Sequence, residues 1–86
     1  MDRAQRLKRL GYRAAHRGTR EADMLIGRFF AAASPAWDDD ALDWFEALLE
    51  EQDVDILAWA AGVTDAPANY HGPALEALKR LDYLPR

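Results

Sequence analysis

Apolar residues recur along the chain at helical spacing, and the breaks between the runs divide it into five segments. Ala4, Leu7, Leu10, Gly11 and Ala14 form the first stripe and predict a helix over residues 3–16. Gly11 either weakens that helix by roughly 1 kcal/mol relative to alanine or marks a close packing contact. Gly18 reads as the glycine just past the helix end. Thr19 predicts an N-cap for the second helix, with Glu21 and Asp23 near its positive end. Ala22, Leu25, Ile26, Phe29 and Ala33 make its apolar face, and Ser34-Pro35 stops it. A connection over residues 35–39 leads to a third helix, capped by one of Asp38, Asp39 or Asp40. Leu42, Phe45, Leu48 and Leu49 are its core positions, with Trp44 on the flank. Asp53 is the expected cap of a short fourth helix carrying Ile56, Leu57 and Ala60, which Gly62 closes. Residues 64–73 turn to Pro, Gly, Asn and Asp and predict the longest loop. Pro73 then opens a last helix with Leu75, Leu78 and Leu81 facing inward. Short connections favour antiparallel neighbours. The expected fold is therefore all-α: a compact five-helix bundle, one small domain over residues 1–86.

Composition narrows the picture. A chain of 86 residues, half of them apolar, suits one globular domain with a modest core. The absence of cysteine excludes disulfides, thiol catalysis and Cys-type zinc sites. No apolar run approaches the roughly 20 residues that span a bilayer, so membrane insertion is not expected. The start Met1-Asp2-Arg3 has arginines but no apolar signal core, and a bacterial cytoplasmic chain is expected. The net charge of −4 hides an asymmetry. Arg3, Arg6, Lys8, Arg9, Arg13, Arg17, Arg20 and Arg28 crowd the first third, whereas every ionisable residue from 38 to 55 is acidic. Such a dipolar surface suits steering toward a protein partner, and an acidic chain without a broad basic surface is a poor nucleic-acid binder.

Candidate chemistry is sparse. His16 and His71 are the only histidines, far apart, and neither has a carboxylate or histidine at ligand spacing. His16 reads as a polar residue near a helix end and His71 as a loop residue. No phosphate-cradling glycine motif occurs, and the acids read as a solvated face. No metal or cofactor is expected on the chain, and no catalytic activity. Phe29, Phe30 and Phe45 read as core, Trp44 and Trp59 as core or rim, and Trp37 either as a staple of the third helix or as contact surface. Arg3, Arg6, Arg9, Arg13 and Arg17 lie three or four residues apart along one helical stripe that runs into the stretch HRGTREAD. A helix cap accounts for Gly18 there, and dipole pairing for Glu21 and Asp23. Neither needs Arg17.

The stretch Arg17-Gly18-Thr19-Arg20-Glu21 matches an Arg-Gly-x-x-Glu signature between two helices, followed by Asp23 and preceded by Leu10-Gly11-Tyr12-Arg13. Together with LDWFEALLEEQDVDILAWAAG over residues 42–62, it makes the sequence resemble the succinate dehydrogenase assembly factor family, over about residues 7–62. Thr19 departs from the methionine of many relatives. The resemblance implies a non-enzymatic chaperone. It would bind the flavoprotein subunit of succinate dehydrogenase, or of fumarate reductase, and promote covalent attachment of FAD, which the client and not this chain would hold. It implies a partner-binding site of Arg17, Gly18 and Glu21, with Arg20, Asp23 and Tyr12 in support. On this reading Arg17 projects its fork toward acceptors in the client, and Glu21 either meets the client or holds Arg17. A monomer is the simplest state for a bundle offering one face to a larger protein. The competing reading is a small helical regulator, antitoxin-like or an inhibitor, binding another protein.

Overall fold

The computed structural model describes residues 2–85. Among them are five helices and no strand: α1 (Arg3–Ala15), α2 (Arg20–Ala33), α3 (Asp39–Leu48), α4 (Asp53–Ala61) and α5 (Pro73–Arg80). Two short 3₁₀ turns, Ser34–Ala36 and Ala68–Tyr70, punctuate the connections. The expected all-α bundle is what forms.

The caps follow the side chains available. Thr19 accepts from the Ala22 N–H at 3.2 Å and Asp38 from the Ala41 N–H at 2.9 Å, each satisfying a donor that the helix start leaves open. Gly62 ends α4 in the left-handed region at φ 76°. Two local expectations are corrected. Gln52, not Asp53, flanks α4, and it makes no side-chain cap bond; Asp53 lies inside the first turn, where its carboxylate is taken by Arg17. Gly18 lies two residues beyond the α1 cap, His16, so it shapes the turn and does not cap the helix.

α1 and α2 form an antiparallel hairpin whose close approach depends on small residues. A Cβ added to Gly11 would lie 3.3 Å from the Phe30 ring, and one added to Gly27 would lie 3.2 Å from the Ala15 Cα. The alternative of a packing contact at Gly11 is therefore the correct one. Leu10, Ala14, Ile26, Phe29, Leu42, Phe45, Leu48, Ile56 and Leu78 are buried in one core drawn from all five helices. Each large apolar side chain removed from water there contributes about 1.5–3 kcal/mol.

Trp37 is a staple. Its ring packs at 5.4–5.8 Å from those of Phe29, Phe30 and Phe45, closing the end of the core where α2 gives way to α3. The expected loop before α5 is more ordered than its polar composition suggests, because Ala66 and Tyr70 are buried. The Trp44 indole N–H donates to the Tyr70 carbonyl at 2.9 Å, and His71 bonds the Ala66 carbonyl through Nε2 at 2.9 Å. Leu81 packs against the core but ends α5 in the left-handed region, at φ 57°.

Candidate functional site

The basic stripe of α1 meets the acidic run of α3. Arg3 reaches Asp39 at 3.7 Å, Arg6 pairs with Asp43 and with Glu46 at 3.2 Å, Arg13 with Glu50 at 2.7 Å, and Arg17 with Asp53 at 2.8 Å. Partners rise together along the two segments, so α1 and α3 run parallel and their charges form a ladder. Much of the asymmetry expected to steer a partner is thus neutralised inside the molecule. Exposed pairs of this kind contribute at most about 1 kcal/mol each. The last rung differs in burial.

The Arg17 side chain is only 13% exposed and that of Asp53 only 23%. All three guanidinium nitrogens are used. Nε donates to Asp53 Oδ1 at 2.8 Å, Nη1 to the Leu49 carbonyl at 2.7 Å and Nη2 to the Glu51 carbonyl at 3.1 Å. Leu49 is the C-cap of α3, so the cation sits where a helix leaves its last carbonyls unpaired and its dipole is negative. A planar fork with fixed donor directions suits three acceptors; an ammonium could not reach all of them. The expectation that Arg17 projects toward a partner is therefore corrected: its donors are spent inward. Of the two roles left open for Glu21, holding Arg17 falls instead to Asp53.

The backbone of the turn is tied from the other side. The N–H groups of Arg17 and Gly18 both donate to Asp23 Oδ1, the latter at 3.1 Å, which joins the turn to the first turn of α2. Gly18 has φ 108°, a conformation that disfavours any side chain, yet an added Cβ would meet nothing within 4 Å. Arg20 and Glu21 are exposed, and among the described residues no ion pair engages them. Tyr12, 65% exposed, stacks on the His16 ring at 3.9 Å. His16 Nδ1 lies 2.7 Å from the Tyr12 carbonyl, which can only accept, so Nδ1 carries the proton.

The site residues read from the sequence thus divide into two groups. Arg17 and Asp23 build the turn, and Gly18, Arg20, Glu21 and Tyr12 face solvent. Beside the turn an open groove is lined by Ala15, Met24, Gly27 and Ala31 together with Arg20 and Arg28. Lys8, Arg9, Arg20 and Arg28 are exposed and stand outside the ladder, so part of the positive charge of the hairpin stays open to solvent.

Beyond the turn, Tyr70 carries no sequence signal of its role because it lies in a polar loop. Its hydroxyl contacts the Ala47 carbonyl at 3.2 Å and Glu51 Oε2 at 2.6 Å, which bolts the loop to the same α3–α4 junction that Arg17 holds. Burial first, and the Glu51 carboxylate second, push its pKa up to about 12. Burial likewise raises Tyr83, whose hydroxyl donates to the Leu78 carbonyl at 2.7 Å. Among the described residues no three His, Asp or Glu side chains gather as metal ligands, and no helix is long and apolar enough to cross a membrane.

A family model described as flavinator of succinate dehydrogenase matches residues 8–82. The chain is 37% identical over 73 residues to succinate dehydrogenase assembly factor 2, mitochondrial, of Cryptococcus neoformans, covering 84% of this chain and 42% of that protein. It is 36% identical over 75 residues to the FAD assembly factor SdhE of Acetobacter pasteurianus, covering 87% and 69% respectively. With the assembly factor 2 of Schizosaccharomyces pombe it shares 34% over 64 residues, 74% of this chain and 46% of that one. It thus spans less than half of these two fungal relatives and about two thirds of the bacterial one. No solved structure matches.

Proposed function

The chain belongs to the family of flavinators of succinate dehydrogenase, and on that footing we propose that it is an assembly factor and not an enzyme. It binds the flavoprotein subunit of succinate dehydrogenase, or of fumarate reductase, and promotes covalent attachment of FAD to that subunit. The observation that carries this reading is the family match over residues 8–82, which takes in the turn at Gly18 together with both of its anchors, Asp23 and Asp53. In mechanism, the bond-forming chemistry belongs to the flavin and the client. The assembly factor favours a client conformation competent for attachment by binding it more tightly than the alternatives. Gly18, Arg20, Glu21 and Tyr12 make the contact: the glycine permits close approach, Arg20 and Glu21 offer opposite charges, and Tyr12 adds an aromatic surface. Arg17 and Asp23 hold that surface in place. The whole chain acts as one domain, as a monomer, in the bacterial cytoplasm, and holds no FAD of its own.

The test is in-gel flavin fluorescence of the client subunit, with and without this protein. Fluorescence that rises with the protein supports the reading; equal fluorescence in both lanes rejects it. Gly18→Arg sharpens the test: the space around Gly18 is open within this chain, so the cost inside the fold is confined to the strain of a side chain at φ 108°. The variant is expected to retain its helix content and lose flavinylation, and full flavinylation by the folded variant would remove the turn from the contact.

A further inference from the structure

We propose that Asp53, 36 residues beyond Arg17 in sequence, is a positioning residue of the binding turn and acts through Arg17. The inference rests on the proposed binding role of that turn and goes beyond it by adding a residue outside the signature. Arg17 is the one residue of the turn gripped at both ends. Its N–H goes to Asp23 on α2, and its guanidinium goes to the junction of α3 and α4. Two of the three side-chain acceptors, Leu49 and Glu51, are neutral carbonyls; Asp53 supplies the only anion. The bond at 2.8 Å is the one in which both partners are charged, and with the two carbonyl bonds it fixes the plane of the fork.

Asp53 also lies in the first turn of α4, where its charge suits the helix dipole. It does not cap α4, and its side chain is mostly buried beneath Arg17. Without it the guanidinium keeps only two neutral carbonyls, which also hydrogen-bond well to water, and the turn's inner anchor loosens. Gly18 itself is tied through its N–H to Asp23 alone, and a Cβ built on it would meet nothing within 4 Å. A partner would have to order the turn on binding, which lowers affinity without removing any contact. The latch is thus a preorganising device, spanning two helix junctions that are remote in sequence.

A merely structural Asp53 would lower stability and leave the folded fraction binding as before, so the test reads both. Asp53→Ala, held at a temperature where near-ultraviolet circular dichroism shows it folded, is titrated against the apo flavoprotein subunit. The dissociation constant is expected to rise about tenfold. Asp53→Asn, which keeps an acceptor oxygen, is expected to stay within about threefold. In an Arg17→Ala background, Asp53→Ala is expected to add nothing, because both act on one interaction. Hydrogen exchange on the free variant adds a readout that needs no client: the Arg17 and Gly18 amides should exchange faster, while those inside α3 and α4 do not. Unchanged affinity of folded Asp53→Ala, or a uniform rise in exchange across the chain, overturns the inference. If the wild-type protein itself fails to bind the flavoprotein subunit, the proposed function fails, and the exchange pattern alone decides whether Asp53 positions the turn.

Discussion

Arg17 and Arg20 stand three residues apart in one turn and have opposite environments. Arg17 is mostly buried against the α3–α4 junction with every guanidinium nitrogen donating, whereas Arg20 is exposed and stands outside every ion pair among the described residues. The contrast extends along the hairpin. Arg3, Arg6, Arg13 and Arg17 face acids of α3, α4 and the junction between them, and Lys8, Arg9, Arg20 and Arg28 face solvent. The same residue type thus serves cohesion on one side and a free surface on the other. Charge inventory alone cannot separate the two roles, because what decides them is which helix lies opposite.

The comparison is most exposed at Arg17. Arg17→Ala strands the Asp53 carboxylate and two carbonyls in a partly buried site and is expected to cost about 2–4 kcal/mol. Urea denaturation checks this, and a change below about 0.5 kcal/mol would place the side chain on the surface instead. Alkaline pH probes the neighbouring anchor. Tyr70 has its pKa raised from 10.0 to about 12, so its contribution to stability is full below pH 10 and is lost as pH rises through 12. The urea midpoint should fall between pH 10 and 12, and Tyr70→Phe should flatten the slope, leaving the share of Tyr83. Smaller still is the effect expected of Arg13→Ala on the exposed part of the ladder: under about 1 kcal/mol, and shrinking further in 1 M salt as screening takes over. Smallest in stability is Arg20→Ala, expected within about 0.5 kcal/mol of wild type, while its titration against the flavoprotein subunit weakens clearly. An Arg20→Ala variant that binds as wild type would remove Arg20 from the proposed contact.

The helices were legible because their apolar spacing, Thr19, Gly62 and Pro73 all point the same way. The location of the turn was legible too, from Arg17-Gly18 between two periodic segments. The direction in which Arg17 points was not, because its acceptors are two main-chain carbonyls and a carboxylate 36 residues away. Backbone carbonyls carry no sequence signal. The offset shared by the ladder pairs does: Arg6, Arg13 and Arg17 each find an acid 36 or 37 residues on. A parallel α1–α3 pairing could therefore have been suspected from charge spacing. Tyr70 offered no comparable clue, since a lone aromatic in a Pro-, Asn- and Gly-rich stretch reads as loop until the core beneath it is known.

The central claim, that the signature arginine is an internal latch, is tested most directly by a proton–nitrogen correlation spectrum of the arginine side chains in the free protein at neutral pH. The account predicts a distinct, slowly exchanging Nε–H for Arg17 that disappears in Asp53→Ala, beside a solvent-averaged Arg20. An Arg17 Nε–H that exchanges as fast as that of Arg20 in the wild-type protein would contradict it.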